Sequence, residues 1–370
     1  MLDADEFSDW LRLLETPQIG RESARKLLAA FGSASAVFAA PAQALREVVG
    51  TRAAGLLGEA PPEFAVRLAA ARRWWQDGSE RHIVTLGDAQ YPALLLQTAD
   101  PPLLLYVEGR VDLLSAPSLA IVGSRNPTAQ GADNAQAFAA HLAGGGLAVV
   151  SGMALGIDGA AHLGALSAAA GAGTVAVVGT GLDIAYPGRH RGLARRIAAA
   201  GALVSEYAPG TPPLGTNFPQ RNRIIAGLSR GTLVVEAALR SGSLTTARMA
   251  AEAGREVFAI PGSIHSPQSH GCHALIRQGA KLVESAQDIF EELRGQQWAP
   301  PAVSPDARPQ EKPPDDPLLS ALGHDPVSLD ALGARTGWPA QHLSAHLLEL
   351  ELDGLVARLP GGLYQRRAAI

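Results

Sequence analysis

From His82 onward the chain repeats one pattern that limits the folds open to it. Short, almost uniformly apolar runs at 83–86, 103–107, 119–122, 147–150, 175–178, 203–205, 233–235 and 257–260 are followed by glycine-bearing turns. Helix-length, alanine-rich stretches at 129–143, 158–170, 190–200, 220–228 and 244–253 separate the later ones. A strand that is apolar on every residue must be covered on both faces, and strands alternating with helices supply that cover. The pattern predicts an α/β fold, a doubly wound, extended Rossmann-like and mostly parallel sheet over 81–294.

The flanks read differently. In 1–80, Trp10, Leu13, Leu14 and then Ala24, Leu27, Leu28, Phe31 recur at helical spacing, broken at Thr16-Pro17-Gln18-Ile19-Gly20. This is a helical domain of helix-hairpin-helix or sterile-alpha-motif (SAM) type, or an ordinary small bundle, with Trp74 and Trp75 placed to dock it onto the central segment. Residues 295–317 are proline-dense and acidic, a semi-extended linker. Residues 318–370 pattern as three helices closed by a hairpin around Pro360-Gly361-Gly362, the plan of a winged helix or of an interaction module with that fold.

Ligands of doubly wound sheets bind where strands end. After 119–122 comes Gly123-Ser124-Arg125-Asn126-Pro127-Thr128, whose backbone N–H groups, hydroxyl and guanidinium suit a phosphate. Ser151-Gly152-Met153-Ala154-Leu155-Gly156-Ile157-Asp158, Gly179-Thr180-Gly181-Leu182-Asp183 and Arg240-Ser241-Gly242-Ser243-Leu244-Thr245-Thr246 come after the runs at 147–150, 175–178 and 233–235. One such loop marks only a turn. Four on one rim imply a long polyanion or an extended nucleotide.

The proline-rich segment 205–223 then delivers Phe218, Arg221, Asn222 and Arg223. Arginines at a helix start oppose its dipole unless an anion compensates. An aromatic beside two guanidinium groups is the smallest unit that stacks a base and neutralises a phosphate. Alternatively, Phe218 is core and the arginines pair with Glu206 or Glu236.

Catalytic constellations are weak. The 10 histidines show no metal-ligand spacing, and Asp158 with His162 reads as a cap and a satisfied histidine. Cys272, the single cysteine, excludes an internal disulfide or a CxxC metal site, and its neighbour His273 makes a poor thiol partner. No catalytic residue, metal or cofactor is expected. MLDADEFSDW has no apolar signal core and no run of about 18 apolar residues occurs, so a soluble, cytoplasmic protein with no membrane contact is expected.

Taken together, Ile121-Val122-Gly123-Ser124-Arg125, the stretch from Ser151 to His162, Gly179-Thr180-Gly181-Leu182-Asp183 with Tyr186-Pro187, Ser205-Glu206-Tyr207, the stretch from Phe218 to Ser229, Ser241–Ala247 and Phe258-Ala259-Ile260-Pro261-Gly262 resemble the DNA-processing protein A family (DprA, also called Smf). The resemblance is dense over 82–290, and the two flanks fit the family's long form. It implies a non-enzymatic protein that binds and protects single-stranded DNA in natural transformation. It further implies loading of the RecA recombinase and a homodimer formed through the Rossmann-like domain. By motif, Ser124, Arg125, Phe218, Arg221, Asn222 and Arg223 line the DNA pocket. Gly123, Gly152, Gly181, Ser241, Gly242, Ser243 and Thr245 form its floor. Gly188 stands where the family often has lysine, so Arg189 or Arg191 substitutes; His273 stands where asparagine is usual, leaving that turn's role open.

The same residues admit two rivals. One is a nucleotide-processing enzyme of the lysine-decarboxylase-like phosphoribohydrolase type, whose PGGxGTxxE signature is missing here. The other is an interaction scaffold. A net charge of −4 would by itself speak against nucleic acid, but it is unevenly spread. The stretch 189–223 holds six arginines against Glu206 alone, whereas the tail from 318 nets −1. A confined basic strip needs no basic total.

Overall fold

The computed structural model describes residues 2–169, 171–294, 316–323, 326–359 and 361–367. The stretch 295–315, most of the expected linker, lies outside the described residues.

Five helices open the chain: α1 (Ala4–Glu15), α2 (Arg21–Phe31), α3 (Ala34–Ala39), α4 (Ala42–Leu57) and α5 (Phe64–Gln76). The Asp3 carboxylate caps α1 by accepting from the backbone N–H groups of Asp5 and Glu6. Phe7, Trp10, Leu13 and Leu27 form the core of this unit, but the same cluster continues into Ile83, Leu104 and Tyr106 of the sheet. Trp74 meets Tyr106 edge-on at 5.7 Å, so the helical front and the first two strands share one core.

The centre runs β1 (Arg81–Thr85), α6 (Ala93–Leu96), β2 (Leu104–Gly109), a 3-10 turn (Val111–Leu114), β3 (Ser118–Val122), α7 (Ala129–Gly144), β4 (Ala148–Ser151), α8 (Ile157–Ser167) and β5 (Thr174–Val177). A second 3-10 turn (Gly188–His190) leads into α9 (Arg191–Ala200), β6 (Ala202–Ser205), α10 (Asn217–Leu228), β7 (Gly231–Val234), α11 (Gly242–Glu252), β8 (Glu256–Ala259), α12 (His270–Arg277), β9 (Lys281–Leu282) and α13 (Ala286–Arg294).

The strands form one sheet in the order β1-β2-β6-β5-β4-β3-β7-β8-β9. It is parallel from β6 to β9, while β2 pairs antiparallel with both β1 and β6. Alternation of side chains divides each strand between two cores. In β3, Leu119 and Ile121 join Phe138 and Leu142 of α7 and Ile157 of α8 on one face; Ala120 and Val122 join Ile224 and Ile225 of α10 on the other. Each fully buried large aliphatic chain contributes about 1.5–3 kcal/mol, which is why so many uniformly apolar runs commit the chain to this fold.

After β3 the chain winds outward through β4, β5 and β6, then returns to lay β7 on the other side of β3. The carboxyl ends of β3 and β7 therefore diverge at a topological switch point, the place where such sheets open a crevice.

The tail comprises α14 (Pro317–Leu322), β10 (Val327–Ser328), α15 (Leu329–Thr336), α16 (Ala340–Leu352), β11 (Val356–Leu359) and β12 (Leu363–Arg366). Leu318, Leu322, Leu332, Leu343 and Leu347 fill its separate core. Asp316 caps α14, so this helix begins inside the segment read as linker. The strand β10, which sequence patterning passed over, completes a three-stranded wing. Arg367 donates two hydrogen bonds to the Asp133 carboxylate on α7, at 2.6 and 2.7 Å, and holds the wing against the central unit.

Candidate nucleic-acid interface

A cleft of about 560 Å³ occupies the switch point. One wall is the loop after β3, with Gly123, Ser124, Arg125 and Asn126. Opposite stand Arg240 and the first turn of α11, with Ser241, Gly242, Ser243, Thr245 and Thr246. Helix α10 closes the third side through Phe218, Arg221, Asn222 and Ile225, whose i, i+3, i+4, i+7 spacing makes one stripe. Beyond Phe218 and Arg125 lies a smaller slot of about 110 Å³, lined by Gly152–Leu155, Gly179, Thr180, Tyr186 and Pro187.

Charge in this cleft is arranged for an anion. Arg125 and Arg240 are both exposed, and among the described residues neither has a hydrogen-bond or ion-pair partner. Across from Arg125, beside Arg240, lies the N-terminus of α11, capped by Ser241, whose side chain accepts from Ser243 N at 3.3 Å and whose carbonyl accepts from Leu244 N at 3.2 Å. Arg221 is only 5% exposed; it donates to the carbonyls of Gly152 and Val177, and through Nε to Asn222 Oδ1 at 3.1 Å. Burial pushes its pKa down to about 10, with the nearby Asp158 opposing that shift, so it stays cationic at neutral pH. It is a fixed positive charge in the wall.

The slot rests on a strained turn. Met153 has φ 65°, unusual for a bulky side chain. The carboxylate of Asp158 holds that turn from both sides, accepting from Gly152 N and Ala154 N, each at 3.1 Å. Burial raises the Asp158 pKa, and Arg221 and the two N–H groups pull against that rise. Two glycines are required by close packing. A Cβ at Gly123 would lie 2.7 Å from Ile157 Cγ1, and one at Gly152 would strike the Arg221 guanidinium.

Phe218 is half-buried at the boundary between cleft and slot, with its ring 5.4 Å from that of Tyr186 at 31°. Tyr186 is 46% exposed, so the pair offers an open aromatic surface.

Several expected residues are placed elsewhere. Arg223 does not reach the cleft. It ion-pairs with Glu206, donates to the Asp100 carbonyl at 2.7 Å, and joins Arg21 and Arg25 of α2 around the Asp100 carboxylate. Because α10 begins at Asn217, both arginines lie past its first turn, and the dipole penalty expected for them falls away. Gly181 is buried under Ala208 and Pro209, outside the lining, and its N–H donates to Thr211 O at 3.0 Å. Arg189 is exposed just beyond Pro187. The six-arginine strip is thus divided: Arg221 is buried, Arg223 is bolted to acids, and only Arg189, Arg191, Arg195 and Arg196 remain exposed.

Arg240 and Tyr186 went unselected in the sequence, although each sits inside a motif that pointed at the rim. Among the described residues Glu236 pairs with no arginine; it accepts from Thr128 N at 3.0 Å and Thr128 Oγ1 at 2.6 Å. Asp158 does not bond His162, whose Nδ1 lies 2.7 Å from Thr174 Oγ1 and whose pKa burial drives down to about 3. Cys272 is fully buried, its thiol pushed up to about 12, which makes it inert as a nucleophile. His273 lies with Nε2 3.0 Å from Gly262 O, pinning the loop after β8.

Comparison with known proteins places the chain among relatives along most of its length. The sequence model described as DNA recombination-mediator protein A matches residues 82–294, a DprA-like N-terminal HHH domain matches 4–54, and a DprA winged helix domain matches 300–362. Protein Smf of Escherichia coli (strain K12) is 45% identical over 302 residues, covering 80% of each chain. The DNA processing protein DprA of Streptococcus pneumoniae is 50% identical over 206 residues, 56% of this chain and 72% of that one. The X-ray structure of DprA from Streptococcus pneumoniae superposes with a TM-score of 0.67 at 37% identity, covering 78% of this chain and 98% of that chain. A DprA from Helicobacter pylori, described for its single-stranded DNA binding mode, superposes at 0.52 with 31% identity over 58% of this chain and 97% of that one. The chain belongs to the DNA recombination-mediator protein A family, the DprA/Smf proteins.

Proposed function

We propose that this chain binds single-stranded DNA in the switch-point cleft, without sequence preference, and performs no chemistry on it. One observation carries the reading: two exposed guanidinium groups, Arg125 and Arg240, without partners among the described residues, flank a cleft that has a helix N-terminus in its wall and an open aromatic pair beside it. The phosphate backbone takes the first and the bases take the second. The single-stranded DNA binding described for the Helicobacter pylori relative supports it. The phosphoribohydrolase alternative is disfavoured, since the nearby carboxylates are committed: Asp158 to backbone N–H groups and Glu236 to Thr128. Helix α16 carries no lysine or arginine, which speaks against duplex reading by the tail.

Fluorescence anisotropy on a labelled oligothymidylate tests the cleft. Arg125→Ala should weaken binding and lower the salt slope by about 0.7, with unfolding unchanged. Wild-type affinity and slope would remove Arg125 from any phosphate role.

The family reading extends to two partners. A homodimer would use the sheet edge at β9, where Leu239, Ile264 and Leu282 stand exposed together; sedimentation at the mass of one chain would exclude it. RecA loading predicts faster RecA assembly on single strands in the presence of the chain, and no acceleration would count against it.

A further inference from the structure

The first turns of α9 form a basic surface that the cleft does not account for. Arg191, Arg195 and Arg196 are exposed, Arg189 precedes them in the 3-10 turn, and among the described residues none of the four has an ion-pair or hydrogen-bond partner. No Asp or Glu occurs between Asp183 and Glu206. Both of those acids are occupied, Asp183 by Gly210 N and Glu206 by Arg223. Arg191 and Arg195 are four residues apart, so they sit on one face about 6 Å apart along the axis. Like charges at that spacing repel each other, and Arg191 also stands at the positive end of the helix dipole. Nothing among the described residues offsets either cost.

The placement of this surface is specific. Leu193 and Ile197 anchor α9 inward on Met153 and Val178, both of which line the slot. His190 Nδ1 lies 3.0 Å from Met153 O and ties the 3-10 turn to the slot's floor. The chain passes directly from Tyr186 and Pro187, the slot's outer wall, into Arg189 and Arg191. A strand leaving the aromatic pair therefore meets these guanidinium groups next.

We infer that the exposed face of α9, through Arg191, Arg195 and Arg196, is a second backbone-tracking surface for the same single strand, carrying the phosphates that emerge from the slot past Tyr186. The inference rests on the cleft reading and extends its footprint: affinity must grow with strand length because phosphates beyond the pocket find new partners.

The test compares the full-length chain with the Arg191→Ala/Arg195→Ala/Arg196→Ala variant on oligothymidylates of about 4 and about 16 nucleotides, the span of site sizes for single-strand platforms. All three side chains are exposed and carry a repulsive cost in the free chain, so the unfolding midpoint serves as a control and should not fall. The short strand should lose at most the share of Arg191, a change in salt slope of no more than about 0.7. The long strand should bind the variant at least about tenfold more weakly, with the salt slope reduced by about 2, since each single-strand phosphate contact contributes about 0.7. The triple Arg→Lys variant should retain most of the slope. Equal losses on short and long strands, an unchanged slope, or the same loss on duplex DNA of the longer length would overturn the proposal. If the wild-type chain binds neither strand, the cleft reading fails and takes this one with it, a result distinct from a wild type that binds both without length dependence.

Discussion

Helix α10 carries two arginines, Arg221 and Arg223, and the molecule uses them for opposite ends. Arg221 faces the switch point, buried, its guanidinium on two carbonyls and its charge projected into the cleft. Arg223 faces away and closes a network with Glu206, Asp100, Arg21 and Arg25 that bolts α2 of the front to the central unit. Successive helical residues are 100° apart, so positions two apart point about 200° apart. Identity of residue type says little about role here. The face of the helix decides it, because one face meets an open crevice and the other meets carboxylates.

That contrast can be broken most decisively at Arg221. Arg221→Ala leaves two buried carbonyls without a donor and Asp158 without its nearby cation, and should cost about 3–5 kcal/mol in urea unfolding. Unfolding at the wild-type midpoint would mean that Arg221 is no part of the wall. A sharper comparison pairs Phe218→Ala with Arg223→Ala. The first should lose about 1–3 kcal/mol of single-strand affinity per stacked base while leaving the fold intact. The second should lower stability and leave short-strand affinity alone. If Arg223→Ala weakens short strands as much as Phe218→Ala does, the two faces of α10 are not separate.

The smallest effect is acid sensitivity of the bolt. Burial alone would raise the Asp100 carboxyl, but Arg25, Arg223 and Arg21 outweigh it and hold its pKa below the usual range. A carboxyl depressed in the folded state contributes stability fully above its unfolded value, about 3.9, and loses it as pH falls through the folded value. The stability difference between wild type and Asp100→Asn should therefore be constant near neutrality and shrink below about pH 4. A difference that persists unchanged through strong acid would place the bolt's strength elsewhere than in the Asp100 charge.

How far such features were legible varies with their range. The strand runs were readable to within a residue or two, since Leu119, Ile121, Val149 and Leu233 have no stable place outside a doubly covered sheet. Ser124, Arg125, Phe218 and the 241–245 loop were readable because strand ends in this fold share one rim, and the structure brings them together. Arg221 and Arg223 are close enough in sequence to read as one patch, yet helical spacing puts them on opposite faces of α10. Gly181 was misplaced because a glycine at a strand end serves a tight turn as readily as a ligand. Arg240 and Tyr186 were missed because nothing local distinguishes an exposed, unpartnered side chain from a paired one.

Features that depend on near neighbours can be read along the chain: apolar runs, their two-sided burial, helix faces, and loops rich in glycine and hydroxyls at strand ends. Which charges are neutralised depends on how distant segments pack. Asp100 lies 123 residues from Arg223 along the chain, and the two meet only once the loop after α6 has packed against α2 and α10. Ion pairing is set by distance and desolvation in space, and composition does not record either.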